Sequence, residues 1–299
     1  MAAPKGQKAI QGPIDDEIPP GRDDMPEDDS PMTFWEHLEE LRKRIIYSVV
    51  TVIVAFFVAW EFRDPVLDVL TKPFMDAWKE QKIQGVGSLH YSAPGAGFSA
   101  NVHVAMLLGL AGAAPVIFYQ LWAFIAPGLY AREKRFVIPF VFFSTLLFVG
   151  GGYFGWLAAF PIAFNYFLGF SGPIGAHGLQ VTPTIMLDSY LDFVVQMLLA
   201  FGIIFELPLL ILFLSIAGIV NYLHLLRFGR WFVLIAVILA GVLTPPDVTS
   251  QIIMAVPLIT LYFVSIGLAF LFGKKPTDRQ KKEFWEAVGR KKNKPAESA

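Results

Sequence analysis

The chain has 299 residues and a formal net charge of −1, with 55% hydrophobic residues and only 16% charged ones, against about 25% in an ordinary soluble domain. Its mean hydropathy is +0.54, and long apolar runs recur, so the balance fits a membrane protein and not one or two soluble domains. The absence of cysteine removes disulfides, thiolate nucleophiles and cysteine metal sites.

Residues 1–31 carry eight acids (Asp15, Asp16, Glu17, Asp23, Asp24, Glu27, Asp28 and Asp29) among many prolines. No basic start followed by an apolar stretch is present, so this is not a signal peptide, and the composition predicts a disordered acidic tail. Such a tail is either idle in solvent or shields a basic surface on its own side of the membrane.

MTFWEHLEELRKR, residues 32–44, predicts a charged helix with Thr33 and Glu36 at capping-box spacing. Glu36 and Glu40 lie one turn apart, with Glu39 beside them. Lys43 and Arg44 stand four residues beyond Glu39 and Glu40. Six candidate spans follow, at about 45–60, 98–122, 136–160, 190–214, 231–243 and 250–271. The fifth is short and implies a thin bilayer or an extension through RFGR.

Between the first two spans, DPVLDVLTKPFMDAW predicts a short amphipathic helix burying Val66, Leu67, Leu70, Phe74 and Trp78, and GSLHYSAPGAGF reads as irregular. FIAPGLYAREKRFVIP, residues 124–139, turns at Pro127 and Gly128 and gathers Arg132, Glu133, Lys134 and Arg135. GFSGPIGAHG, between the third and fourth spans, is turn-like. In the fourth span Glu206 interrupts an apolar run, where an ionised carboxylate needs a polar partner, water or a proton. Asp192 and Gln196 lie earlier on the same helix and extend a rough polar stripe. TPPDVTSQ breaks the chain at Pro245 and Pro246 and offers Asp247 as a helix cap. Beyond residue 271 come nine basic residues, with a short amphipathic helix expected over Lys281 to Asn293.

Lys and Arg cluster at 42–44, in the 123–135 and 215–230 loops and in the carboxy-terminal tail, whereas loops 161–189 and 244–249 hold none. The positive-inside rule therefore places both termini in the cytoplasm. Pro115, Pro139, Pro161, Pro208 and Pro257 lie in or at the ends of spans, and with the span glycines they permit either a curved wall or close packing. The histidines form no metal pattern, and no catalytic motif or phosphate-cradling glycine loop appears. No enzyme, metal or cofactor is expected. The basic tail is read as solvated or facing lipid, not as binding nucleic acid.

HLEELRKR (37–44), APVIFYQLWAFIAPGLYAREKRFVIPF (114–140), FGIIFELP (201–208) and LTPPDVTSQ (243–251), in this order relative to six spans, resemble the TatC family, the polytopic subunits of twin-arginine protein translocases. The resemblance covers about residues 32–272. It divides the chain into a tail over 1–31, an all-α membrane domain over 32–272 with six helices in a curved fold, and a basic tail over 273–299.

It implies a receptor and core subunit in the bacterial cytoplasmic (inner) membrane. Such a subunit binds signal peptides bearing an arginine pair. With small single-span TatA- and TatB-type subunits, and other TatC copies, it exports folded proteins on the proton-motive force. By resemblance, Glu40 and Glu133 are the main acidic contacts, accompanied by Arg42, Phe124, Pro127, Tyr130 and Arg132. Glu206 is the membrane-embedded polar docking point, and Pro245, Pro246 and Asp247 belong to the outer cap. The chemistry agrees, because carboxylates satisfy planar guanidinium forks through bidentate bonds that lysine cannot reproduce. Spacing alone does not choose between Glu39 and Glu40, which point about 100° apart; the resemblance favours Glu40. The competing class is a proton- or ion-coupled secondary transporter using Glu206. An inverted repeat would support it, and none is visible.

Overall fold

A computed structural model describes residues 34–125, 137–174, 179–244 and 247–292. The expected disordered tail, Thr33 of the capping box, and the Pro127–Arg135 and Pro245–Pro246 turns lie outside them. The chain divides after Glu40 into two compact units. Six helical stretches are long and apolar enough to cross a membrane: Trp35–Trp60, Ala96–Ile125, Val137–Leu168, Leu187–Ala217, Tyr222–Leu243 and Val248–Phe272.

The first stretch is α1 (Phe34–Trp60), in which the charged segment and the first span form one continuous helix. Next comes α2 (Arg63–Glu80), the expected amphipathic helix, with Leu70, Phe74 and Trp78 buried and Val66 and Leu67 packed beside them. Polar bonds fasten its ends and flank: Asn165 donates to Glu80 at 2.9 Å, Gln81 donates to Asn165 at 3.1 Å, and Trp156 Nε1 donates to the Val69 carbonyl at 2.8 Å.

GSLHYS is not wholly irregular. β1 (Leu89–His90) pairs in parallel with β4 (Ile185–Met186), the short strand that enters the fourth span. The turn-like segment after the third span forms an antiparallel pair, β2 (Gly172–Ile174) with β3 (Leu179–Val181).

α3 (Ala96–Ile125) is the second span and carries Pro115 inside it. The third span extends beyond the expected 136–160. α4 (Val137–Phe154) passes through a π-helical turn, Gly155–Ala159, into α5 (Phe160–Leu168). Pro161 has no N–H to continue the ladder, and the wide turn, closed by Phe160 N–H on the Gly155 carbonyl, absorbs it. Gly151 lets α4 lie against the fourth span, since a Cβ there would meet the Phe201 carbonyl at 2.5 Å.

The fourth span is two helices, α6 (Leu187–Phe205) and α7 (Leu207–Ala217), joined at Glu206. Pro208 withholds the N–H that would meet the Ile204 carbonyl. Gly218, at φ 83°, ends α7 in the left-handed conformation.

The fifth span takes the second of the two expected routes, extension through RFGR. α8 covers Tyr222–Leu243, 22 residues, because Asn221 caps it by accepting from the Leu223 and His224 N–H groups. At about 33 Å it needs no thin bilayer. Arg227 and Arg230 are exposed on its first turns, and Arg230 lies over the Trp231 ring at 5.6 Å. α9 (Val248–Phe272) is the sixth span, and α10 (Asp278–Lys292) is the expected tail helix, begun three residues earlier.

Three apolar clusters occur among the described residues of the membrane unit, the third joining Ile211 of α7, Leu225 of α8 and Tyr262, Ile266 and Ala269 of α9. The largest joins α2, α5 and α6 through Phe74, Phe160, Phe164, Tyr190 and Phe201, with Ala236 and Met254 from α8 and α9. Toward the other end of the spans, Phe118 and Trp122 of α3 pack on Leu209 and Phe213 of α7.

Candidate functional site

Three groups of expected site residues fall on three different pieces of scaffold. On the first turns of α1, His37 Nδ1 stands 4.0 Å from Glu40 Oε2, one turn apart. Glu39 is exposed and Glu40 is partly buried, so the helix itself distinguishes the two neighbours that spacing left equal. Arg42 is exposed in the second unit, and Arg44 there donates to Gln120 of α3 at 3.2 Å. Phe124 is half-buried in the last turn of α3. Pro127, Tyr130, Arg132 and Glu133 lie outside the described residues.

The second group is built around Glu206. Its backbone is helical (φ −73°, ψ −18°), and its carbonyl accepts from Leu210 N–H at 2.9 Å, so the chain bends without ending the span. No backbone amide uses its side chain as a cap. A neighbouring helix supplies the polar partner instead. Trp122 Nε1 donates to the Ser144 hydroxyl at 2.8 Å, and the Ser144 side chain lies beside the Glu206 carboxyl. Trp122 is 4% exposed and Ser144 0%, so this relay sits in the packed interior of α3 and α4. Glu206 Oε1 is buried with no hydrogen-bond partner among the described residues. A buried carboxyl oxygen in that state has unused capacity for a proton or a donor.

Trp122 and Ser144 were missed as site residues. The signal was present in FVFFSTLLF: a serine in an aromatic-rich span has to find a polar neighbour. The adjacent Thr145 satisfies itself on the Val141 carbonyl at 2.8 Å, which left Ser144 as the one to explain.

The expected stripe is only partly realised. Asp192 and Gln196 are exposed one turn apart on α6, and His103 Nε2 of α3 stands 3.5 Å from Asp192 Oδ1. Glu206 lies beyond the helix break with its own partner.

The third group is the turn before α9. Asp247 caps that helix as expected, accepting from Ser250 N–H at 2.8 Å. Pro245 and Pro246 are outside the described residues. No cluster of three His, Cys, Asp or Glu suited to a metal occurs among the described residues.

A family model described as Sec-independent protein translocase protein (TatC) matches residues 36–257, which includes Glu40, Ser144, Glu206 and Asp247. The chain belongs to the TatC family. A TatC protein of Koribacter versatilis is 38% identical over 257 residues, covering 86% of this chain and 91% of its own. One from Desulforapulum autotrophicum is 42% identical over 251 residues, covering 84% and 89%. The fold is similar to a crystal structure titled as the twin arginine translocase receptor TatC, at TM-score 0.68 and 35% identity, over 78% of this chain and 98% of that one. The chain is therefore a multi-pass membrane member of a family whose relatives are named as protein translocase components, a transport role.

Proposed function

We propose that this TatC-family protein is the receptor and core subunit of a twin-arginine translocase in the bacterial cytoplasmic membrane, with both termini on the cytoplasmic side. Glu40 and Glu133 receive the two signal-peptide guanidinium groups, and Arg42, Phe124, Pro127, Tyr130 and Arg132 frame the peptide around them. An arginine pair presents two permanently charged planar forks, which two separated carboxylates match better than they match lysine. Glu206 is the docking point inside the membrane for the inserted signal peptide or for a polar group on a single-span TatA- or TatB-type subunit. Asp247, with Pro245 and Pro246, holds the outer end of the last two spans. Export of folded cargo then draws on the proton-motive force.

The observation that carries this reading is the family match across all but the end of the six-span region, together with a membrane carboxyl that has one oxygen unpartnered. The transporter alternative loses its support here, because the same Glu206 is accounted for within a translocase family. The test is binding of purified protein to peptides with RR, KK and AA at the key pair. Glu40→Ala and Glu133→Ala each lower RR binding by about tenfold, the worth of one charge-assisted bond, and change KK binding less. Equal losses for RR and KK, or no loss, would overturn arginine reading. Co-purification of single-span subunits with the wild-type chain tests the core-subunit role.

A further inference from the structure

The basic segment after α9 carries none of the residues proposed above for peptide recognition, and it is folded back onto the membrane unit. α9 ends at Gly273, and the next residue turns toward the end of α7, Lys274 N–H donating to the Ser215 carbonyl at 3.1 Å. The Lys274 ammonium donates to the Ala217 carbonyl at 3.2 Å. Gln280 Oε1 accepts from Thr277 N–H at 3.0 Å and from the Asn221 amide at 3.2 Å, which ties the start of α10 to the cap of α8.

Beside these ties lies an open pocket of about 420 Å³ whose walls include Tyr222, Phe270, Leu271, Lys274, Lys275 and Lys281. Tyr222 and Phe270 meet edge to face at 5.2 Å and form one wall. Of the three lysines that line the pocket only Lys281 has a carboxylate beside it, Asp278 Oδ1 at 3.1 Å, so the pocket keeps a net charge of about +2. Two helices end here, and their terminal carbonyls favour cations. That explains the seat of Lys274 on Ala217 and leaves Lys275 and Lys281 facing the cavity. Lys275 has no ion pair or hydrogen bond among the described residues. The lip is apolar: Phe270 and Leu271 are exposed in the last turn of a membrane helix, followed by exposed Phe272.

A cationic cavity with an exposed apolar lip at the end of a span has the chemistry of a phospholipid site. A free phosphate would use the lysines but not the lip. We infer that this pocket seats the headgroup of an anionic phospholipid, phosphate oxygens on Lys275 and Lys281 and acyl chains along Phe270 and Leu271. With two net positive charges, it favours a headgroup with two phosphates over one with a single phosphate.

The experiment uses the full chain in detergent and measures lipid retention by native mass spectrometry after incubation with cardiolipin, phosphatidylglycerol or phosphatidylcholine. Retention follows that order. Lys275→Gln with Lys281→Gln lowers cardiolipin retention by about tenfold or more, from the contribution of each lysine near an anionic headgroup. Lys274 is left intact because its ammonium supports the α7 terminus. Lys72→Gln with Lys79→Gln, two lysines of α2 remote from this pocket, changes nothing. Unchanged cardiolipin retention in the Lys275/Lys281 variant, or equal retention of phosphatidylcholine, overturns the inference. Displacement of cardiolipin by millimolar inorganic phosphate also overturns it, since that identifies a free-anion site.

Discussion

Glu206 and Asp247 each sit where one helix meets the next, and the backbone treats them differently. Asp247 is extended (φ −133°, ψ 146°), so its side chain reaches forward and accepts from Ser250 N–H. Glu206 is helical, its backbone continues the span, and its carboxyl turns to a neighbouring helix. A carboxylate bound by its own chain is a structural cap. Both carboxyls keep one buried oxygen without a partner among the described residues, but only Asp247 commits its other oxygen to a backbone amide, so the Glu206 side chain is the one available to something else.

That contrast can be broken by substitution, and the largest effect is expected at Glu206. Glu206→Ala reduces export of a folded reporter by about ten- to hundredfold, the range for loss of a bond to a charged group, while thermal stability in detergent changes little. Glu206→Gln recovers part of the export if hydrogen bonding suffices, and none if charge or a proton is needed. Normal export by the alanine variant would remove Glu206 from the mechanism.

Ser144→Ala is next. It strands the buried Trp122 N–H, at a cost of about 1–3 kcal/mol, visible as a lower unfolding midpoint. An unchanged midpoint would mean the relay holds nothing. The smallest effect is at Asp247. Asp247→Ala costs about 1 kcal/mol, and Asp247→Asn, which still caps, costs less. If Asn proves as harmful as Ala, charge and not capping is what the turn before α9 requires.

The same contrast explains what the sequence made legible. Asp247 announced itself through a local pattern, two prolines, an acid and then an apolar run, and the structure confirms the cap. The six spans and the buried face of α2 were equally local, written in periodicity. The relay to Glu206 depends on Trp122 and Ser144 arriving from two other helices, and no spacing within FGIIFELPLL carries that. The start of α8 was misplaced because Arg227 and Arg230 read as a loop. Charged heads on long stems are tolerated at the end of a span, and the capping signal lay further back, at Asn221. The two-residue strands β1 and β4 have no pattern to read at all, since each exists only through its distant partner.

The fastening of α2 sets an order of events during synthesis. Leu70 waits for Tyr190, whose hydroxyl meets its carbonyl across 120 residues, and Glu80 waits for Asn165 across 85. At about 5–20 residues per second, α2 is complete for roughly 5–22 s before Tyr190 exists. Until α5 is made, its apolar face has only α3 and the bilayer surface to lie on. The helix that later locks the third and fourth spans together begins as a peripheral one, and its docking reports that both spans have been inserted.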